Sequence, residues 1–440
     1  MVKPVIQSKF SFITGVLLIF LLSSLLGINF ILPLFLLSIF IYFKFYLREL
    51  KESKKLLYPL FLFVLLFAVG YFFGYKRVSL IYLPFSAIPM LATLLFNELE
   101  IAFLLSVSLF VSIGFILNNY SQALLFLIGG IFSSIFVFGA RRRMAIIKAG
   151  FFTGLIQALS LFFINNFKVN DAYGYLLITA NGIFCGLVVL AILPLFEIMF
   201  GTVTNISLLE LMDTPLLNRL KSEAPGTYHH SLVVGNLAES ASLAIGANGL
   251  LARIGSYYHD IGKLEKPLYF NENQDPSDNK HKTLSPTMSK MIIMNHVKEG
   301  LELARKYKLN PRIIDFIIQH HGTSLVHYFY YRALENLEED QDIKEEGFRY
   351  PGPKPNTKET AIVLLADSVE AASRSLKEPT VQNIEEMVHK IINNKFIDGQ
   401  FDDCDLTLRD LEKIAQTFIR ILTSIYHSRV TYPETSVSSK

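Results

Sequence analysis

All ten histidines of this 440-residue chain lie at or beyond position 229. Five of them, His230, His259, His296, His320 and His321, together with Asp260 and Asp367, offer imidazole nitrogen and carboxylate oxygen but no thiolate. Such a donor set suits iron, manganese or zinc, and its mixture favours two metals over one. An aspartate beside a histidine can bridge two metals while the histidine caps one. Two metals about 4 Å apart can share a hydroxide and clamp a phosphoryl group, which is metal-assisted phosphodiester hydrolysis. The two cysteines, Cys185 and Cys404, suggest neither a disulfide framework nor a zinc-thiolate site.

Spacing limits how these donors can converge. Adjacent residues on a helix point roughly 100° apart. His320 and His321 can therefore serve one centre only where the helix ends or where they approach from its flank, and Gly322 directly after them fits a terminus. Lys263, four residues after His259, shares its face if the helix runs on, and there it could hold a substrate phosphate. Gly262 could instead end the helix and let the phosphate come close.

The elements that must position these residues are helical. Apolar residues recur at helical spacing over 228–246, 249–261, 284–308, 310–321, 324–337, 357–376, 380–395 and 405–428. Strand-like alternation is scarce, so an all-α domain is predicted over 226–428, with loops at 266–283 and 338–356 and a flexible tail at 429–440. Residues 201–225 read as a connector.

Upstream, residues 1–200 are almost continuously apolar. The whole chain is 51% hydrophobic and only 18% charged, with a mean hydropathy of +0.39, which excludes a disordered chain and a small disulfide scaffold. A span needs about 20 apolar residues. Eight candidates follow: 10–27, 29–47, 57–75, 78–96, 100–117, 121–139, 145–165 and 174–200. The first two are parted only by Gly27-Ile28-Asn29. With the N-terminus inside, the inner segments hold eleven lysines and arginines, among them Arg141, Arg142 and Arg143, and the outer loops hold three. That bias places 201–440 in the cytoplasm of a multi-pass protein of the cell membrane. The spans carry almost no charge, since Glu98, Glu100 and Glu197 sit at ends, so an anchor or sensor bundle is favoured over a transporter. A net charge of +3 gives no argument for nucleic-acid binding.

The segments YHHSLVVGNLAESAS, YYHDIGK, IIMNHVKEGLELA, IIQHHGTSLVHYFYYRA, FRYPGPKP and LLADSVEAASRS occur in this order. Over about 175–395 the chain resembles the seven-transmembrane His-Asp (HD) hydrolases, bacterial membrane phosphodiesterases of the PgpH type. The resemblance implies hydrolysis of cyclic di-AMP, a nucleotide second messenger, to 5′-pApA with two divalent metals, iron or manganese. It assigns His230, His259 and Asp367 to one metal and His296, His320 and His321 to the other. Asp260 would bridge them, with a shared hydroxide as nucleophile, and Lys263 would bind phosphate or steady the leaving group. Relatives usually carry one span, a large extracellular domain and seven further spans; Gly27-Ile28-Asn29 stands here in place of that domain.

Competing readings remain open at this point. The cytoplasmic domain could be a nucleotide sensor without turnover, or could hydrolyse another nucleotide such as a guanosine polyphosphate. His327 and Arg374 could touch substrate, but a hydrogen-bonded role for the first and an exposed helix face for the second are the more ordinary alternatives. His229, His281, His389, His427, Lys377 and the run Tyr328, Tyr330 and Tyr331 are read as structural or solvated. A homodimer is compatible with the sequence.

Overall fold

Helices and short 3-10 turns make up the regular structure of the described residues, and the one β-type pairing among them is an isolated bridge between Leu325 and Arg349. The computed structural model describes residues 61–62, 83–117, 120–167, 172–274, 280–335 and 343–427. It divides into two units, Met1–Ser207 and Leu208–Lys440. The first three candidate spans, but for residues 61–62, the Gly27-Ile28-Asn29 hairpin and the tail from 429 lie outside the described residues, as does the start of the fourth span.

The first unit contains α1 (Ala87–Phe96), α2 (Leu99–Leu117), α3 (Tyr120–Val137), α4 (Arg143–Ile164) and α5 (Ala172–Phe200). The last two are long and apolar enough to cross a membrane. Only 39% of each apolar window is buried within the protein, so most of that surface needs an apolar environment from outside. Phe152, Leu159, Leu176, Leu195 and Ile198 are among the large exposed side chains. Where α4 meets α5 the facing residues are glycines. A Cβ on Gly182 would collide with the Gly150 carbonyl oxygen and with the Gly154 backbone. Small residues four apart let two helix backbones touch, which is how apolar helices gain packing energy when water supplies no driving force.

The second unit runs through α6 (Asn205–Glu210, which begins in the first unit), α7 (Pro215–Glu223), α8 (Pro225–Ala244) and α9 (Gly249–Tyr258). It continues through α10 (Pro286–Lys306), α11 (Pro311–Gln319), α12 (His327–Glu335), α13 (Lys358–Ser373), α14 (Val381–Ile397) and α15 (Leu408–His427). Proline opens α7, α8, α10 and α11. Three of these helices also have a side-chain cap: Thr214 accepts from Leu217 N, Ser285 from Met288 N and Asn310 from Arg312 N. Proline is pre-shaped for a first turn and needs no N–H partner there, and each cap contributes about 1 kcal/mol. The core joins Val234, Leu237 and Ala241 of α8 to Ile362, Leu365 and Val369 of α13 and to Ile414 and Phe418 of α15.

Helix α9 ends at Tyr258, so Lys263 is not on a continuation of it; residues Ile261–Glu265 form a 3-10 turn. Helix α11 ends at Gln319, and Gly322 follows at φ +53°. His259-Asp260 and His320-His321 therefore both sit where a helix stops, and their backbones can turn inward. Two glycines set the approach. A Cβ on Gly262 would strike the carbonyl oxygen of His296, and one on Gly255 would enter the Phe316 ring. Replacing Gly262 by alanine must push the 3-10 turn off α10. We expect Gly262→Ala to cost about 1–3 kcal/mol, read as a lower thermal midpoint of the full chain in detergent, with weaker metal uptake measured on the same sample.

Candidate metal centre

The seven side chains singled out in the sequence come together from five segments. His230 lies on α8, His259 and Asp260 follow α9, His296 is on α10, His320 and His321 follow α11, and Asp367 is on α13. Their donor atoms fall into two groups, His230, His259, Asp260 and Asp367, and His296, His320 and His321, each with its donors within 4.8 Å of one another.

Asp260 faces both groups. Its Oδ2 lies 3.2 Å from His259 Nε2 and 3.7 Å from His230 Nε2. Its Oδ1 lies 3.3 Å from His296 Nε2 and 3.6 Å from His320 Nε2. Asp367 also faces both groups: Oδ1 is 3.0 Å from His230 Nε2, and Oδ2 is 3.7 Å from His321 Nδ1.

The outer nitrogens fix the tautomers. His259 Nδ1 donates to Ser256 O at 2.6 Å, His296 Nδ1 to Ile293 O at 2.5 Å and His320 Nδ1 to Ile317 O at 2.9 Å. A carbonyl oxygen can only accept, so each Nδ1 carries a proton, and the Nε2 that each ring turns inward is the atom left for a metal ion or a second proton. The Nε2 atoms of His296 and His320 then face each other at 3.1 Å. Two lone pairs at that separation repel unless a cation sits against them. His259 Nε2 and Asp260 Oδ1 are buried and make no hydrogen bond. Buried orphan acceptors of this kind are rare in finished structures, and outer hydrogen bonds from the second ring nitrogen are the usual support of metal-bound histidine. The donor set therefore fits a divalent metal ion.

Electrostatics agree. Burial would raise the Asp260 carboxyl, but the charges of His259 and Lys263 outweigh it and hold it well below the usual carboxylate range. Burial likewise opposes charge on His259, yet Asp260 and Asp367 push it up to about 10, so with no cation between them its Nε2 takes up a proton in the place that a metal ion would fill. Burial takes His296 down to about 4, so that ring stays neutral. The site is closed except at one edge: the side chains of His321 and Asp367 are 24% and 13% exposed, against 6% or less for the other five. Tyr350 stacks on His321 at that edge, with ring centroids 4.2 Å apart.

Other residues fall less simply. Lys263 Nζ is 2.7 Å from Asp260 Oδ2 and 2.7 Å from Glu272 Oε1, so its ammonium is held between two carboxylates. Arg374 is tied to Glu370, with its Nε 2.7 Å from Oε1, and is not turned to the seven-residue cluster as a free cation. His327 begins α12, exposed, its ring over Tyr331. Sequence reasoning missed Glu370, Glu272, Tyr350 and Lys395. Glu370 left a signal: it is three residues after Asp367 and hence on the same helix face. Its Oε2 lies 2.5 Å from His230 Nδ1, which gives a fourth of the five histidines an outer partner. Glu272 lies in a polar loop and left none.

Residues 22–204 match the family model described as "7TM receptor with intracellular HD hydrolase", and residues 227–372 match the HD domain. The chain belongs to this family of membrane receptors joined to a histidine–aspartate hydrolase module. It is 43% identical to "Cyclic-di-AMP phosphodiesterase PgpH" of Bacillus subtilis over 81% of this chain and 52% of that protein. It is 42% identical to the protein of the same name from Listeria monocytogenes over 80% of this chain and 50% of that one. The chain thus spans about half the length of these curated relatives. The crystal structure of the L. monocytogenes PgpH HD domain in complex with cyclic-di-AMP is 49% identical, covering 50% of this chain and 100% of that chain, with a TM-score of 0.47.

If Glu370 orients His230, its loss weakens metal binding without emptying the core. Glu370→Gln, which keeps the shape and an acceptor, is expected to lower metal affinity about tenfold, and Glu370→Ala nearer 100-fold. Equilibrium dialysis against manganese, with the thermal midpoint of each metal-free variant measured alongside, checks this.

Proposed function

We propose that this chain is a membrane-bound phosphodiesterase that hydrolyses cyclic di-AMP to 5′-pApA with two divalent metals, iron or manganese. The observation that carries the reading is the Asp260 carboxylate, with one oxygen turned to each of two groups of donors. The names of the two curated relatives supply the substrate. His230, His259 and Asp367 would hold one metal and His296, His320 and His321 the other, with Asp260 shared between them. When bound, the pair would supply Lewis acidity and an activated water to an in-line displacement at phosphorus.

The remaining work falls to the chain. The carbonyl acceptors on the outer nitrogens keep Nδ1 protonated and Nε2 aimed inward. The burial of His259, His296 and His320 keeps bulk water from the inner edge, and the opening at His321 and Asp367 admits the phosphodiester. Production of a 5′-phosphate means that the water oxygen joins phosphorus, the P–O3′ bond breaks and O3′ departs with a proton. Lys263 holds Asp260 in register and stands as the cation that can steady the leaving oxygen once Glu272 releases it. The domain order supports a multi-pass membrane portion, a connector over 201–225 and a cytoplasmic catalytic domain over 226–428.

The deciding experiment is product analysis with the full chain in detergent, loaded with manganese and given cyclic di-AMP or cyclic di-GMP. Rapid formation of 5′-pApA, abolished by chelator, supports the proposal. Tight binding without product would make the domain a sensor instead. Asp260→Ala is expected to reduce turnover by well over the roughly 100-fold seen for outer partners, with the helical circular-dichroism signal retained. Lys263→Ala should lower kcat or raise KM while metal content stays unchanged; parallel loss of metal would give Lys263 a purely supporting role.

A further inference from the structure

Of the cations around the open edge of the site, Arg349 is spent, its Nε and guanidinium nitrogens reaching Glu345, Asp398 and the Thr323 carbonyl. Lys395, near the end of α14, is different. It is partly buried, it makes no ion pair among the described residues, and its hydrogen bond goes to a neutral acceptor, Ser324 Oγ at 2.7 Å. Ser324 is three residues beyond His321, and its carbonyl accepts from Tyr350 N, the residue whose ring covers His321. The ammonium therefore lies beside the open edge of the cluster. Burial lowers its pKa, while Asp367 and Asp398 pull the other way from outside ion-pair distance.

A partly buried ammonium with one neutral partner carries a desolvation cost that Asp367 and Asp398, beyond ion-pair distance, offset only in part. An incoming anion would offset it. Metals held by the seven donors would engage one phosphate, but a cyclic dinucleotide brings two, and Lys263 is already held between two carboxylates.

We propose that Lys395, held by Ser324, binds the second phosphate of the substrate, the one not under attack. This rests on the phosphodiesterase reading above and adds a basis for choosing two-phosphate rings over simple diesters. Lys395 is a binding residue, and it touches neither the scissile bond nor the metal donors.

The test compares the wild-type chain with K395M and K395R on cyclic di-AMP and on bis(p-nitrophenyl) phosphate, which has one phosphate. K395M should raise KM for cyclic di-AMP about tenfold or more, the weight of one charge-assisted hydrogen bond, with kcat, metal content and KM for the small diester unchanged. K395R should recover most of the loss. Because the free ammonium lacks a counter-charge, K395M should also leave the thermal midpoint unchanged or raise it. An unchanged KM for cyclic di-AMP, an equal loss on both substrates, or a lowered midpoint that K395R restores would overturn the proposal. If the wild type does not hydrolyse cyclic di-AMP, the activity reading fails by itself. Calorimetric titration of cyclic di-AMP into wild type and K395M then still decides on Lys395, equal affinities overturning it and a tenfold loss supporting it.

Discussion

One buried carboxylate organises the second unit. Asp260 is 1% exposed, and an ionised group so far from water survives only where positive charge and donors surround it. Lys263 and His259 provide charge on one side, and the Nε2 atoms of His230, His296 and His320 close the others, where a divalent cation would complete the surround. Each of these side chains comes from, or next to, a different stretch of helix. The carboxylate therefore acts as a common reference point, and the helices must pack so that their donors reach it.

The packing meets that demand through close backbone approach and not through bulk. Gly262 lets the turn after Asp260 lie on the backbone of α10, which brings Oδ1 to His296. Gly255 lets α9 lie on Phe316 of α11, which brings His259 to His320, with ring centroids 4.9 Å apart. Gly322, at positive φ, turns the chain away after the histidine pair. Around these contacts, carbonyl oxygens from the last turns of α9 and α11, and one from the middle of α10, each accept from an Nδ1. The ends of α9 and α11 thus do two things together. They leave carbonyls free of intrahelical partners, and they spend those carbonyls on orienting imidazoles.

The first unit follows a different logic. Its helices present large apolar side chains outward and glycines to one another, because in an apolar solvent contact area and close approach decide packing and burial of oil from water does not. Gln157 shows the same economy: buried between helices, its amide donates to the Leu125 carbonyl at 2.9 Å. Among its described residues, the buried carboxylate of Glu197 sits at the end of α5 and accepts from Thr204 N and Ser207 Oγ.

The residue types and their order were enough to read an apolar half and an all-α half, the helix end before Gly322, and the seven side chains that the fold brings together. Those features depend on local physics: hydropathy over a span, periodicity over a helix, and the small set of side chains able to hold a hard or borderline cation. What each donor's partners are could not be read this way, because partners meet across distances of tens to more than a hundred residues. Glu370 supporting His230, 140 residues away, became visible only once α8 and α13 were packed together. So did the division of labour between two lysines. Lys263 stands out in the chain because it follows the His-Asp pair, yet folding places Glu272 against it. Lys395 has no motif around it, and it stands beside the open edge of the site because α14 packs there, with a charge that only the folded surroundings leave unmatched.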